Sequence, residues 1–507
     1  MQGGRSWTPP GFGWLIAAFA ACLCVFAING GPLYYHDSAD YLNRGGQVLS
    51  VVGLRSPVRI DAVEQVREAA AAGTAAPAPA DSGAKTADVS RSVIYALIVG
   101  LFAALGALEG VVLLNAAVAV LIVWFPIRIA LREFGESASL AGPLAFTAIA
   151  AGTAGSLAFY VALLMPDIFA PALLIIAATL TAFAGRMTRG ELVFAFLLGS
   201  LSVMAHNSHL VIAALLLPFV IAGSLLTGGR RRWLAPALFA GIALIGFGQL
   251  QALRLAVAKV EKADAVYLPF LTARLVQDGP GRAYLATHCP DPGIATCALW
   301  EALSHSGDPM RFTASHITFQ RTARLGSFRL MSEDSQRSVA NGQVSFFLAV
   351  LRDRPLDTTG AVLRNVGRQL TMNSIDMTLP DAEVRGRFIG KPGLALSSFD
   401  SRLHRDDGWI APANHVQETF YLAALAAILI VSALPATPRR LRAFLLLVLA
   451  GLFVNALVCG AVSQPATRYG GRVIWLLPAV AVMALGIGRR CFAPGSRNLS
   501  IAGRKTG

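Results

Sequence analysis

Long apolar runs separated by short polar connections are the dominant pattern of this chain. The runs are about 15 to 24 residues long, close to the length that an α-helix needs to cross a membrane. They lie at 14–30, 108–131, 139–157, 167–185, 191–205, 210–227, 233–256, 417–434, 443–462 and 473–488. The pattern predicts an all-α polytopic membrane protein with about ten transmembrane helices.

A long polar stretch, residues 257–417, interrupts these runs. It mixes apolar residues at helical spacing, as in Tyr267–Val276 and Val344–Leu351, with loops, and it has no strand-rich pattern. We therefore expect a mainly helical cap outside the membrane. The predicted divisions are a transmembrane core at 1–258, the cap at 259–416, the C-terminal transmembrane helices at 417–490 and a cytoplasmic tail at 491–507.

The composition narrows the class of protein further. Of the 507 residues, 55% are hydrophobic and 14% are charged, which is too apolar for an ordinary soluble protein. The formal net charge of +14 could indicate a nucleic-acid partner, but much of the basic excess lies in short clusters between apolar runs. Such clusters are typical of topology signals, so we expect membrane lipids and no nucleic acid as partners.

Arginines in the connections set the predicted orientation. They fall on one side of the membrane if Val93–Gly106 is an interfacial or re-entrant helix, and the positive-inside rule makes that side cytoplasmic. The clusters are Arg128 and Arg132, Arg186 and Arg189, Arg230–Arg232, Arg439 with Arg440 and Arg442, and Arg489 with Arg490. We predict a multi-pass protein of the bacterial inner membrane with both termini in the cytoplasm.

This orientation puts the first loop, residues 30–92, on the extracytoplasmic side together with the cap. The first span is predicted to be a retained signal anchor, because no convincing A-x-A cleavage site precedes Gly30. The loop ends in an Ala/Pro/Gly run, Ala69–Ala87, that has the composition of a flexible linker. The functional part of the loop is therefore expected in its first third.

The run YYHDSADY, from Tyr34 to Tyr41, follows the first span directly. Asp37 and Asp40 are three positions apart, so they would share a face of a helix, and from a loop they could still converge on one group. A carboxylate in this position can accept a proton from an acceptor hydroxyl. We predict Asp37 and Asp40 as the catalytic candidates, with His36 and Tyr41 as substrate-binding neighbours. The alternative is that the pair only solvates the end of the first helix.

Asp167, His206 and His209 lie on the same predicted face. Asp167 follows Pro166 at the start of a helix, where its charge either caps the positive helix end or contributes to the site. The histidines bracket the sequence HNSH at a break between two apolar runs. Two imidazoles alone are too few donors for a metal site, so we expect them to bond an anionic head group or to mark a structural break, and a metal site completed by the distant carboxylates is the alternative.

Arg468, Tyr469 and Arg472 precede the last apolar run, in the sequence QPATRYGGR. The positive-inside rule does not account for arginines on the predicted outer face. Two guanidiniums at a membrane edge suit bidentate phosphate binding, and anchoring of arginine and tyrosine at head-group level is the alternative. We predict all three as substrate-binding residues.

Two of the six cysteines lie in the predicted cap. Cys289 and Cys297 are close enough in sequence to close a small loop, and an oxidising compartment favours a bond between their sulfurs. We predict a disulfide between them, and the alternative is two unpaired thiols.

The order of these features resembles the GT-C superfamily of integral-membrane glycosyltransferases. The shared features are an amino-terminal span followed at once by an acidic outer loop, many further spans, a second acidic residue at Asp167, and Arg468 with Tyr469 before the last helix. The superfamily uses polyprenyl-phosphate sugars and includes the protein mannosyltransferases and the aminoarabinose transferases of lipid A. The resemblance implies that Asp37 or Asp40 is the base and that Asp167 is the acidic residue of the second outer loop. This chain has the spaced DSAD instead of the usual adjacent acidic pair, and it lacks a WWD-type motif.

The function that the resemblance implies is transfer of a hexose or pentose from a polyprenyl-phosphate-linked donor to an envelope acceptor on the extracytoplasmic face. The acceptor is a lipid, a glycan or a protein, and a divalent metal stays open as a cofactor. Two other classes also stay open. One is a lipid or glycan transporter or flippase, for which the sequence offers few intramembrane charges and no internal repeat. The other is a non-catalytic envelope scaffold.

Overall fold

The computed structural model consists almost entirely of α-helices. It describes residues 11–51, 53–54, 85–229, 231–319, 327–380, 384, 403 and 407–492. The helices of the first half are α1 (Phe12–Cys22), α2 (Cys24–Asn29), α3 (His36–Val51), α4 (Val93–Ala104), α5 (Gly110–Glu133), α6 (Ala141–Ala154), α7 (Leu157–Ala162), α8 (Phe169–Phe183), α9 (Arg189–Ala205), α10 (Asn207–Thr227) and α11 (Leu234–Val260). Those of the second half are α12 (Phe270–Asp278), α13 (Pro280–His288), α14 (Cys297–Ser304), α15 (Ala314–Phe319), α16 (Glu333–Asn341), α17 (Gln343–Asp353), α18 (Pro355–Thr371), α19 (Ile410–Ala433), α20 (Arg439–Ala461), α21 (Thr467–Ile474) and α22 (Leu476–Phe492).

Within the described residues, seven helices are long and apolar enough to cross a membrane. They are Gly110–Glu133, Pro166–Arg186, Asn207–Thr227, Leu234–Val260, Ile410–Ala433, Arg439–Ala461 and Thr467–Gly488. Shorter apolar helices accompany them at Phe12–Cys22, Val93–Ala104 and Ala138–Ala154. The prediction of an all-α polytopic membrane protein is confirmed.

Two short helices, α3 and α4, form a packed pair next to the first span, which itself is divided at Leu23 into α1 and α2. The 12 residues of α4 extend over about 18 Å, well short of the roughly 30 Å of a bilayer core, as expected for an interfacial or re-entrant helix. The backbones of α3 and α4 meet at two glycines. A Cβ on Gly45 would lie 2.8 Å from the Cα of Gly100, so a larger residue would force the helices apart. The acidic run thus begins a helix that packs closely against α4.

Within the described residues, the polar stretch after α11 contains helices α12 to α18, and α12 to α17 share an apolar core. Its first element is a strand, β2 (Ala263–Val266), which pairs in parallel with β1 (Lys85–Asp88). Residues 85–87 of the predicted linker therefore belong to a strand, because pairing with β2 supplies the backbone hydrogen bonds that a linker lacks. Residues 69–84 of that linker, and 493–507 of the predicted tail, lie outside the described residues.

The two ends of the helix bundle carry different groups. At one end, Glu191 bonds Arg132 at 2.8 Å, and the Glu133 carboxylate lies 3.3 Å from both Arg186 and Arg440. These arginines come from three of the clusters that the sequence places on one side of the membrane. The cap lies at the opposite end, where the Gln369 side chain exchanges hydrogen bonds of 3.0 and 2.9 Å with the backbone of Ala466.

The orientation of these ends is a prediction that fusions can check. A phosphatase fused at Asp308, in the cap, should be active because that end is predicted to be exported. A matched fusion at Ala436, between α19 and α20, should be inactive. The other informative position, Ala84, lies outside the described residues. A cytoplasmic signal at Asp308 would overturn the orientation and the outer location of the site.

The cap also holds the pair of cysteines that the sequence singles out. The structure joins Cys289 and Cys297 in a disulfide, with a Cα–Cα distance of 5.5 Å. We expect mass spectrometry of non-reduced peptides to recover the two linked to each other. Peptides from envelope-purified protein that carry both cysteines as free thiols would contradict this prediction.

Candidate functional site

Backbone and hydroxyl contacts fix where the acidic run lies. The N–H of Leu33 donates to Ala162 at 2.8 Å, and the N–H of Leu164 donates back to the Leu33 carbonyl at 2.8 Å. The Ser38 hydroxyl then accepts from the N–H of Tyr35 at 2.9 Å and donates to the Leu164 carbonyl at 3.0 Å. The start of α3 is thereby attached to the segment that leads to Asp167.

Asp37 lies in the first turn of α3, at the positive end of the helix. Its Oδ1 accepts from Arg91 at 2.5 Å and its Oδ2 accepts from Arg468 at 3.1 Å. The side chain is 20% exposed. Burial opposes ionisation, but the charges of Arg91 and Arg468 outweigh it and hold the pKa of Asp37 below its ordinary value. Asp37 is therefore an ionised carboxylate between two guanidiniums.

Asp40 lies one turn further along α3 and is more peripheral. Its Oδ2 is 3.5 Å from Nε of Arg91, and its side chain is 48% exposed. The structure therefore separates two aspartates that the sequence predicts as equivalent candidates. Asp37 contacts both arginines, whereas the ion pair of Asp40 involves Arg91 at the solvent edge.

Asp167 follows Pro166 in a short turn before α8, and its side chain is fully buried. Its Oδ2 accepts from Nε of Arg468 at 3.1 Å and lies 3.0 Å from Nη2 of the same residue. Its Oδ1 is 3.5 Å from Nη1 of Arg472. The carboxylate therefore binds arginines of α21 rather than acting only as a helix cap, and it holds the Arg468 guanidinium from the side opposite to Asp37.

Helix α21 carries Arg468 and Arg472 one turn apart on its inward face, with 2% and 0% of their side chains exposed. Arginines can be buried this deeply only if the backbone of α21 packs closely against its neighbours. A Cβ on Gly470 would lie 2.1 Å from the carbonyl oxygen of Met372, which belongs to the cap. Glycine at this position lets the cap pack directly onto the helix that supplies both guanidiniums.

Neutral side chains hold the two buried guanidiniums in place. Nη2 of Arg472 donates to Oδ1 of Asn455 at 2.8 Å. The Tyr35 ring lies 4.6 Å from the guanidinium carbon of Arg468, and the Tyr469 ring is 5.7 and 5.1 Å from those of Arg468 and Arg472. Aromatic faces stabilise cations in this arrangement. Tyr469 thus lies beside both arginines.

Six charged side chains form one continuous series, here called the charged file. Carboxylates and guanidiniums alternate along it, in the order Asp40, Arg91, Asp37, Arg468, Asp167 and Arg472. Side-chain exposure is 48% at Asp40, 20% at Asp37 and 0% at Arg472. Burying a charge is energetically costly unless it is paired. In the charged file, each of the three carboxylates is paired with at least one of the three guanidiniums, which offsets this cost.

The remaining predicted residues surround the charged file. The rings of His36 and Tyr35 pack edge to face, with their centroids 5.3 Å apart. Tyr41 is buried and packs against Tyr95, with the two ring centroids 4.9 Å apart. This burial raises the pKa of the Tyr41 hydroxyl. Tyr41 therefore stays protonated and cannot serve as a base at neutral pH.

The histidines of HNSH form local hydrogen bonds. His206 caps α10, its Nδ1 bonding the hydroxyl of Ser208 at 2.8 Å, and His209 Nδ1 bonds the carbonyl of Ser202 at 2.8 Å. Burial, then the charge of His209 and nearby arginines, lowers the pKa of His206, so its imidazole is neutral. Among the described residues, no group of three His, Cys, Asp or Glu side chains converges as metal ligands would.

Arg91 and Asn455 are two members of the site that the sequence patterns missed. Arg91 precedes the apolar helix α4 on the predicted outer face, where the positive-inside rule does not explain an arginine. A basic residue at the start of an apolar run on that face was a usable signal. Asn455, inside the apolar helix α20, was a second one, since amides within apolar spans mark polar contacts between helices.

The fold and the charged file together define a polytopic α-helical membrane protein with an ion-paired site that a helical cap overlies. No protein-family model matches the chain, and no curated protein matches its sequence. Among solved structures, it matches the crystal structure of ArnT from Cupriavidus metallidurans bound to undecaprenyl phosphate, at 11% sequence identity and a TM-score of 0.33. The match covers 94% of this chain and 78% of that chain.

Proposed function

We propose that this protein is a membrane glycosyltransferase that moves a hexose or pentose from a polyprenyl-phosphate-linked donor to an envelope acceptor. The observation that supports this function best is the position of Asp37, a partly exposed carboxylate held between Arg91 and Arg468. Transfer from a lipid phosphate needs a base for the acceptor hydroxyl and cations for the leaving phosphate. Asp37 and the two guanidiniums are groups of those kinds, side by side.

In the proposed reaction, the acceptor hydroxyl oxygen attacks the anomeric carbon of the donor sugar. The bond from that carbon to the phosphate oxygen breaks, and its electron pair leaves with the polyprenyl phosphate. The hydroxyl proton passes to Asp37. Arg91 and Arg468 stabilise the negative charge that develops on the leaving oxygen. Asp167 acts as a positioning residue, since it contacts Arg468 and lies away from solvent.

The ion pairs also suggest how donor binding would activate the base. In the empty site, two arginines hold the pKa of Asp37 low, and a carboxylate of low pKa is a weak base. A donor phosphate would compete with Asp37 for the same guanidiniums. When Arg91 and Arg468 bind the phosphate, the positive charge that stabilises ionised Asp37 is partly neutralised and the pKa of Asp37 rises. The carboxylate therefore becomes more basic when the donor sugar is bound.

The proposed site faces the extracytoplasmic side of a bacterial inner membrane, with both termini in the cytoplasm. The charge distribution along the chain supports this orientation, because arginines of three basic clusters meet at the opposite end of the bundle. The sugar would therefore be transferred where a lipid-linked donor presents its head group outside the cytoplasm.

A transporter or flippase is the second candidate, because the inner part of the charged file is fully buried in the bundle. Asp167 and Arg472 have 0% exposed side chains, and buried charges within membrane proteins often mark a transport path. This reading predicts movement of a lipid-linked sugar across the bilayer without cleavage of its phosphate bond.

One reconstitution distinguishes the two functions. Purified protein in vesicles receives a polyprenyl-phosphate donor with a labelled sugar, together with an extract of envelope acceptors. We expect labelled acceptor and free polyprenyl phosphate to appear together, because transfer produces both. Vesicles without protein are the control. Donor that crosses the bilayer intact, with no labelled acceptor, would establish transport and overturn the proposed function.

A further inference from the structure

A cavity of about 270 Å³ lies at the end of the bundle opposite to Asp37. It is formed where α8 and α10 end and α11 begins. Four arginines line it, namely Arg186, Arg231, Arg232 and Arg440. The positive-inside rule explains why arginines lie on this side, but it does not require them to surround a single cavity.

The charge around this cavity is unbalanced. Glu133 is the carboxylate that Arg186 and Arg440 share, at 3.3 Å each. Arg231 and Arg232 are exposed, and among the described residues no carboxylate is paired with either. The neighbouring Arg230 lies outside those residues. Four guanidiniums and one carboxylate leave a local excess of positive charge that an anion would offset.

The helix that follows adds to this preference. Arg231 and Arg232 lie directly before Trp233, the N-cap of α11, which is a helix of 27 residues. Cations are unfavourable at the positive end of a helix, so the dipole of α11 does not favour their position. An anion bound between these arginines and the first turn of α11 would be stabilised by both.

A buried hydroxyl gives an independent indication of a polar occupant. Ser224 is one of the residues that line the cavity, the residue is 2% exposed, and its Oγ has no hydrogen-bond partner in the structure. Burying a hydroxyl without a partner is unfavourable, and a bound acceptor would supply one. Arginines together with a serine hydroxyl are the usual donors for phosphate oxygens.

From these observations we infer that the cavity binds a phosphate group, supplied by the head group of an anionic phospholipid. Two exposed apolar residues support a lipid source. Leu226 is 74% exposed and Trp233 is 56% exposed, and both are next in sequence to residues that line the cavity. A tryptophan beside arginines is typical of the head-group level of a membrane. This site is separate from the proposed transferase centre, because it lies at the other end of the bundle.

The test compares three variants of the full-length protein in nanodiscs. Arg231→Gln combined with Arg232→Gln removes two donors from the cavity, Ser224→Ala removes the buried hydroxyl and no charge, and Arg189→Gln is the matched control. Arg189 is exposed in a predicted cytoplasmic cluster but does not line the cavity. Native mass spectrometry measures retained phosphatidylglycerol against phosphatidylcholine, and calorimetry in nanodiscs of phosphatidylcholine alone measures binding of inorganic phosphate.

We expect phosphatidylglycerol affinity to fall by about tenfold or more in the double arginine variant, several-fold in Ser224→Ala, and negligibly in Arg189→Gln. If the cavity variants weaken binding of inorganic phosphate and phosphatidylglycerol does not bind, the cavity is a phosphate site but its ligand is free phosphate and not a lipid. Equal losses in the cavity and control variants would overturn the inference. The inference would also be overturned if Ser224→Ala bound both probes as the unchanged protein does. This variant keeps all the positive charge that topology requires, so it tests the buried hydroxyl alone.

Discussion

Replacing Asp37 by Asn is expected to lower the rate of sugar transfer by about two to four orders of magnitude, the usual range for loss of a general base. Asparagine keeps the shape of the side chain but cannot take the proton of the acceptor hydroxyl. The change also removes a negative charge that Arg91 and Arg468 now contact, which leaves both guanidiniums more available to a donor phosphate. Donor affinity should therefore be kept or increased while kcat falls.

Asp40→Asn is the matched control for that experiment. It makes the same chemical change one turn away, at a side chain that is 48% exposed and 3.5 Å from Arg91. The rate should change by no more than about fivefold, because an exposed ion pair contributes little. Both variants would be assayed in nanodiscs after confirming that they insert and fold. A normal rate in Asp37→Asn would exclude this carboxylate as the base, and a larger loss in Asp40→Asn would transfer that role to Asp40.

Arg468→Gln is expected to have the largest effect on stability, as well as weakening donor binding. The substitution leaves the fully buried Asp167 with its 3.5 Å contact to Arg472 and removes one of the two arginines that contact Asp37. Breaking a buried ion pair by removing one partner costs about 3 to 5 kcal/mol. A marked fall in thermal stability should therefore be measurable in detergent.

A paired substitution separates the structural role of Arg468 from its role toward the donor. Arg468→Gln together with Asp37→Asn removes one positive and one negative charge and leaves two complete pairs, Asp40 with Arg91 and Asp167 with Arg472, so most of the lost stability should return. Donor binding should stay weak, because the phosphate has still lost Arg468. If the double variant recovers both stability and donor affinity, Arg468 serves only to neutralise Asp37, and the leaving phosphate must be held elsewhere.

Much of the membrane architecture was readable from the sequence, because the signal is local. The length and polarity of an apolar run set its free energy of transfer into a bilayer, and these depend on neighbours along the chain. The helix Gly110–Glu133 accordingly begins two residues from the predicted run at 108–131. The acidic run, the aspartate after Pro166 and the late arginines were identified in the same way, as charges that their apolar surroundings do not explain.

The division of roles within the site depended on the tertiary structure. Asp37 and Asp40 have the same side chain and nearly the same neighbours in sequence, and they differ in what packs against them. Asp37 meets an arginine 54 positions away and another 431 positions away. No local pattern encodes such separations, because they arise only when α21, held close to the cap by Gly470, places Arg468 beside the start of α3. The sequence by itself determined which charges are present on the predicted outer face, and packing decided which of them pair, since burial and distance set the energies of ion pairs.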